Sequence, residues 1–203
     1  MKNVAADVRF VGGVFLAHLL MYFTFHDKSI FWYIFSAALL FLISYSIIME
    51  EMENKVSFAT YLLYGAFSGA FLYGLFWIGF SLFDFLNLPI INQIDKLYAR
   101  FSPSLLWHYF VLILIIIPGE EIFWRGFVQK RLMKHSNITL SIALSSVLYA
   151  SVHLYSGYWM LSFAALIAGL VWGWLYAWKR SIPLVIVSHL VFDLFMFVLL
   201  PFN

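Results

Sequence analysis

Polar positions are scarce along this chain and collect between long apolar runs. Seven runs approach the roughly 20 apolar residues that a helix needs to cross a hydrocarbon core: 10–25, 30–49, 56–83, 103–132, 138–154, 157–178 and 182–200. Within each run polarity does not alternate, as it would along a membrane barrel strand. Backbone groups in lipid must also be satisfied inside their own segment, which a helix does and an isolated strand does not. The first run is short and borrows from Val4 to Phe10; no small-residue cleavage pattern follows it, so a retained span is expected rather than a removed signal peptide. The predicted fold is all-α, a polytopic transmembrane bundle of about seven spans.

Composition strengthens this picture. Of 203 residues 64% are hydrophobic, 21% aromatic and only 11% charged, and the mean hydropathy of +0.92 lies far from that of soluble domains. The formal net charge is a modest +2, and the cations lie between apolar runs rather than in a patch, so no nucleic-acid partner is expected. With no cysteine, disulfides, thiolate nucleophiles and thiolate metal sites are excluded.

Lysine and arginine positions orient the bundle. With the N-terminus inside, Lys2, Arg9, Lys55, Lys130, Arg131, Lys134, Lys179 and Arg180 fall in the cytoplasm, while Lys28, Lys96 and Arg100 fall outside and Arg125 lies within a span. Eight against three predicts the N-terminus in and the C-terminus out, in a multi-pass protein of the cell membrane. The longest connection, 84–102, carries Asn87, Pro89, Asn92, Asp95 and Lys96. It divides the chain into an N-terminal part, 1–102, with three spans, and a C-terminal core, 103–203, with four. His18 is the one ionisable residue in mid-span in the first part.

The C-terminal core differs. Glu120, Glu121, Arg125, His153, His189 and Asp193 interrupt three of its apolar runs. Ionisable groups at membrane depth are costly and face partners or water-filled cavities. Pro118-Gly119 is expected to break the fourth helix, so that the glutamates open a fresh turn. Glu121 and Arg125 are four apart on one face, in the favourable acid-before-base order, and Glu120 points about 100° away. Tyr149 and His153, and again His189 and Asp193, repeat the spacing of four. At about 1.5 Å per residue, Glu120 stands roughly 21 Å above Lys134, His153 about 24 Å above Asn137, and His189 and Asp193 about 14 and 20 Å above Arg180. Antiparallel packing brings these four toward one layer.

A carboxylate with imidazoles at that depth can deprotonate water and return the proton to a leaving group, and a second imidazole can stabilise an oxyanion. Glu and two His also suit zinc, and sequence alone leaves both open. The bland readings are a headgroup-level ion pair for Glu121 and Arg125, with Arg125 snorkelling, and an N-terminal capping carboxylate for Glu120. Trp107 and Trp159 outside, with Trp172, Trp174 and Trp178 inside, read as interface anchors. Ala164, Ala165, Ala168, Gly169 and Gly173 read as close helix packing.

The order Glu120-Glu121-x-x-x-Arg125, Tyr149-x-x-x-His153, His189-x-x-x-Asp193 resembles the motif set of the CAAX protease and bacteriocin-processing (CPBP, or Abi) family of intramembrane endopeptidases, type II CAAX prenyl endopeptidase-like. The resemblance spans roughly 105–200. It implies Glu120 as the general base with His153 as its partner, His189 and Asp193 on the oxyanion side, and Glu121 and Arg125 as supports. Tyr149 stands where phenylalanine is commoner. Asp193 fills an asparagine-or-aspartate position; an ionised aspartate repels an oxyanion, whereas an amide donates to one. The resemblance implies hydrolysis of a peptide bond in a membrane protein or peptide, in a bacterial plasma membrane. No cofactor is expected to be required; the alternative is zinc held by Glu120, His153 and His189. No H-E-x-x-H, G-x-G-D or G-x-S-G pattern suggests another intramembrane protease. The competing functions are a non-catalytic relative in peptide binding, bacteriocin immunity or scaffolding, and a proton-coupled transporter, against which no repeat symmetry is seen.

Overall fold

A computed structural model describes residues 7–202 and consists of helices joined by short links. The elements are α1 (Val8–His26), α2 (Phe31–Met49), α3 (Phe58–Phe85), α4 (Ile91–Phe101), α5 (Leu106–His135), α6 (Ile138–His153), α7 (Trp159–Lys179) and α8 (Ile182–Leu199). Six helices are long and apolar enough to cross a membrane, and a seventh span arises if α4 and α5, bent by 100° at their junction, count together. Lys2 and Val4 lie outside the described residues.

Local chemistry sets the helix starts. Asp7, Ser57, Asn137 and Ser181 each accept a hydrogen bond from the backbone N–H three residues on, at the heads of α1, α3, α6 and α8. Such caps satisfy a donor that the helix itself leaves orphaned. At the tip between α6 and α7, Gly157 adopts φ +78°, a conformation open to glycine without strain. α4 is the element that apolar length alone does not disclose. It is a polar, amphipathic helix inside the 84–102 connection, with Ile94, Leu97, Tyr98 and Phe101 turned toward α3, α7 and α8.

α3 lies against α8 through Gly65 and Gly69. A Cβ at Gly65 would meet the Leu184 carbonyl and Val187, and one at Gly69 the Ser188 carbonyl and Val191. Small residues here let two backbones approach, which is how membrane helices gain contact without a hydrophobic driving force. α6 and α7 form an equally close hairpin, where Gly169 faces Ser146. The outer surface is apolar, with Leu63, Phe67 and Ile78 all well exposed, as lipid contact requires.

Charged residues gather at one end. Arg131 donates to Asp7 at 2.7 Å, and its Nε lies 3.0 Å from Glu50. Lys134 meets Glu50 at 2.6 Å, Lys130 lies 3.6 Å from Glu53, and Arg180 lies 3.5 Å from Glu53. This network ties the head of α1, the link after α2, the tail of α5 and the tail of α7 together.

Pro118-Gly119 does not break α5. The helix runs on from Leu106 to His135, with wider π-helical turns at Leu112–Ile116 and Ile122–Gln129. The N–H of Ile117 reaches back five residues to the Leu112 carbonyl. This register relieves the clash a proline makes with the carbonyl four residues before it. Glu120 and Glu121 therefore sit in mid-helix rather than at a fresh helix start, and neither is a capping carboxylate.

Candidate active site

Wide turns on either side of Glu120 and Glu121 let the two side chains serve different neighbours. Glu120 faces a cavity of about 190 Å³ among α1, α2, α5, α6, α7 and α8. Glu121 turns behind that wall and is fully buried. π-helical turns often mark functional sites, because an extra residue re-aims the side chains around it.

The six ionisable residues converge. Glu120 Oε2 accepts a hydrogen bond from the Tyr149 hydroxyl at 2.8 Å. Its Oε1 lies 3.7 Å from His153 Nε2, and its Oε2 lies 3.9 Å from His189 Nε2. His189 Nε2 is also 3.7 Å from Asp193 Oδ2. Glu120, Tyr149, His153, His189 and Asp193 all line the cavity, and all are buried.

Hydrogen bonds fix the two imidazoles in opposite senses. His153 Nδ1 is 2.8 Å from the Tyr149 carbonyl, which can only accept, so Nδ1 carries the proton. In the neutral ring the lone pair is then on Nε2, the atom facing Glu120. His189 Nδ1 donates to Glu121 Oε1 at 2.9 Å, and the same oxygen accepts from Arg125 at 3.1 Å. With Nδ1 engaged by Glu121, His189 presents Nε2 to the cavity, toward Glu120 and Asp193.

Arg125 is 2% exposed, so it neither snorkels nor reaches a headgroup. Its second nitrogen donates to the Gly169 carbonyl at 3.3 Å, and its guanidinium lies over the rings of Tyr149 (4.9 Å) and Trp172 (5.4 Å). The small residues of α7 thus do two things: they pack the helix closely and expose a backbone acceptor to a buried cation. Removing one partner of such a buried pair leaves an uncompensated charge, at a cost of about 3–5 kcal/mol.

Trp172 is not an interface anchor. It is 1% exposed and stacks on His189 with ring centres 3.9 Å apart. Its Nε1 donates to Ser188 Oγ at 3.2 Å, and Ser68 donates to that same oxygen at 2.9 Å. A signal for this placement exists in the sequence: Ala165, Ala168 and Trp172 share one helical face, and small neighbours make room for a buried indole. Trp174 and Trp178 remain exposed. His18 pairs with Tyr155, and His108 closes the first turn of α5 by accepting from the N–H groups of Ser104 and Leu105.

The N-terminal part contributes to the same cavity. Phe25, Phe31, Trp32 and Phe35 from α1 and α2, and Phe76 from α3, line it. No polar signal in the sequence points to these residues, since aromatic side chains are abundant throughout. They give the charged group an apolar, water-poor surround, in which electrostatic interactions act more strongly than in bulk water.

Zinc can be tested against this arrangement. Among the described residues no three His, Asp or Glu side chains are disposed to hold a metal ion. His189 commits Nδ1 to Glu121, and Glu120 commits Oε2 to Tyr149. Glu120 Oε1 and the Nε2 atoms of His153 and His189 carry no hydrogen bond among the described residues, and the chemistry proposed below is written with these side chains alone.

No curated protein and no solved structure matches the chain. Residues 102–195, the stretch that carries every one of these charged groups, match the family described as Type II CAAX prenyl endopeptidase Rce1-like.

Proposed function

We propose that this protein is an intramembrane endopeptidase that hydrolyses a peptide bond by water attack, with Glu120 as general base. The observation that carries the reading is the facing pair of unfilled acceptors. Glu120 Oε1 and His153 Nε2 stand 3.7 Å apart at the cavity wall, a separation that lets one water molecule donate to both.

The atoms follow from this placement. Water oxygen attacks the scissile carbonyl carbon, and its proton passes to Glu120. The carbonyl oxygen becomes an oxyanion near His189 Nε2–H, whose charge is supported by Glu121 behind it. The C–N bond then breaks, and Glu120 returns its proton to the leaving amine. General acid–base transfer of this kind contributes about 10²–10⁴-fold, and one oxyanion donor about 10²–10³-fold. Asp193, 3.7 Å from His189 Nε2, orients the imidazolium rather than facing the oxyanion directly.

The test is cleavage of a fluorogenic membrane-peptide panel by purified protein, wild type beside Glu120→Gln and His153→Ala, with and without chelator. Loss of cleavage in both folded variants, with the wild type indifferent to chelator, is the expected result. Loss on chelation with rescue by zinc would instead make the carboxylate and imidazoles metal partners. Cleavage retained by Glu120→Gln would overturn the assignment of the base.

A further inference from the structure

The cavity and the cationic end of the bundle lie on opposite sides of the same charged layer. Lys55, Lys130, Arg131, Lys134, Lys179 and Arg180 cluster where α5 and α7 end and α8 begins. Between them and Glu120, α5 is packed shut: Phe123, Trp124, Arg125, Phe127, Val128 and Gln129 are all at most 2% exposed. Glu120 and Lys130 are ten residues apart, about 15 Å along the helix. The other end is built differently. Phe25 closes α1, Phe31 opens α2, Phe101 closes α4, and Leu161 lies in the first turn of α7, and these residues line the cavity.

A second, apolar cavity of about 300 Å³ adjoins the first beneath α4. Phe76, Phe101, Leu161, Ala164, Met196 and Phe197 line both. Leu75 and Phe163, which border it, are 43% and 45% exposed on the lipid-facing surface of α3 and α7. The six residues that line both thus form a shared apolar wall between the cavity of Glu120 and a hollow that reaches the lipid-facing surface at this end.

Cationic ends of membrane bundles stay in the cytoplasm. Lys28, Lys96 and Arg100 lie at the cavity end, three against the six cations of the other end, so the Lys and Arg excess is at the sealed end. We propose that the cavity opens to the extracytoplasmic side and its leaflet, and that the substrate is an apolar polypeptide segment presented from there. A prenylated C-terminus made in the cytoplasm would meet the sealed end instead. The substrate half of this inference rests on the endopeptidase reading; the sidedness does not.

The chain lacks cysteine, so single-cysteine variants report without background. Ser29→Cys marks the α1–α2 link at the cavity end, Lys55→Cys the cationic end, and Leu112→Cys the cavity wall. Each is treated with a small membrane-impermeant thiol reagent on intact cells, and separately on inverted membrane vesicles. The expected result is labelling of Ser29→Cys and Leu112→Cys in intact cells, with Lys55→Cys labelled only in inverted vesicles. Labelling of Lys55→Cys in intact cells, or of Leu112→Cys only from the vesicle exterior, overturns the proposal. Loss of the fold on Leu112→Cys is controlled by Ile116→Cys, one turn further along the same wall. Labelling does not depend on cleavage, so failure of the endopeptidase reading leaves this test intact, and the reverse also holds.

Discussion

Trp172 and His189 stack with ring centres 3.9 Å apart and planes 25° from parallel, so an indole rather than a charged partner covers one face of the imidazole closest to Asp193. The indole is held in turn by its hydrogen bond to Ser188, the residue just before His189. The ring proposed to serve the oxyanion side is thus fixed from two directions: Glu121 on Nδ1, and Trp172 on its face. Trp172→Ala is expected to lower kcat with KM little changed, and to cost about 3–5 kcal/mol of stability from the void. Trp172→Phe keeps a stacking ring, loses only the bond to Ser188, and recovers most of the activity. Equal loss in both variants would show that the hydrogen bond, not the stack, holds His189.

Tyr149 touches the site twice, through its hydroxyl on Glu120 and its carbonyl on His153. Tyr149→Phe removes only the first. A hydrogen bond to a charged group is worth about 1.5–3 kcal/mol, which sets an upper bound on the effect. Cleavage is expected to fall roughly tenfold without being abolished, because the backbone contact that orients His153 survives. Glu120→Gln in the same assay provides the floor.

Gly69 packs where a Cβ would collide with the Ser188 carbonyl on α8, whereas nothing lies within 4 Å of a Cβ at Gly74. Gly69→Ala should destabilise the protein by about 1–3 kcal/mol through overpacking. It should also reduce activity, since Ser188 adjoins His189. Gly74→Ala on the same helix should be neutral or slightly stabilising, by helix propensity of up to about 1 kcal/mol. Thermal unfolding of the purified variants in one detergent separates the two.

At the cationic end, burial pushes the Asp7 carboxyl up, but the Phe10 N–H and the Arg131 guanidinium outweigh it and hold it below the ordinary carboxylate range. A carboxyl whose folded-state pKa is lowered adds stability above its unfolded value, and that stability is lost as pH falls through the lowered one. Unfolding of the wild type should therefore become easier on acidification from about pH 4 downward. Asp7→Asn should be less stable than wild type at neutral pH and show a shallower acid dependence in that window. Unchanged slopes would mean that Arg131 is satisfied by Glu50 alone.

The fold was legible because it depends on local quantities. A run of about 20 apolar residues without a charge becomes a membrane helix whatever surrounds it, and the expected spans match α1 to α3 and α5 to α8 within a few residues. A spacing of four likewise places Glu121 with Arg125, Tyr149 with His153, and His189 with Asp193 on shared faces. α4 was missed because its apolar positions are too few for a hydropathy signal, though their helical spacing is visible once sought.

The sequence by itself determined which charges exist at depth and which pairs share a helix face. Only the tertiary structure decided how those faces meet. It made Glu121 the buried support of His189 and Glu120 the cavity carboxylate. It carried α5 through Pro118 by a π-helical turn, turned Trp172 inward, and closed the site with Phe25, Phe31 and Phe76 from the other half of the chain. The physical reason is that periodicity fixes a residue's angle around its own helix. The rotation of one helix against another is set by contacts between distant residues, such as Gly69 with Ser188 and Gly169 with Ser146, and those contacts have no local signature.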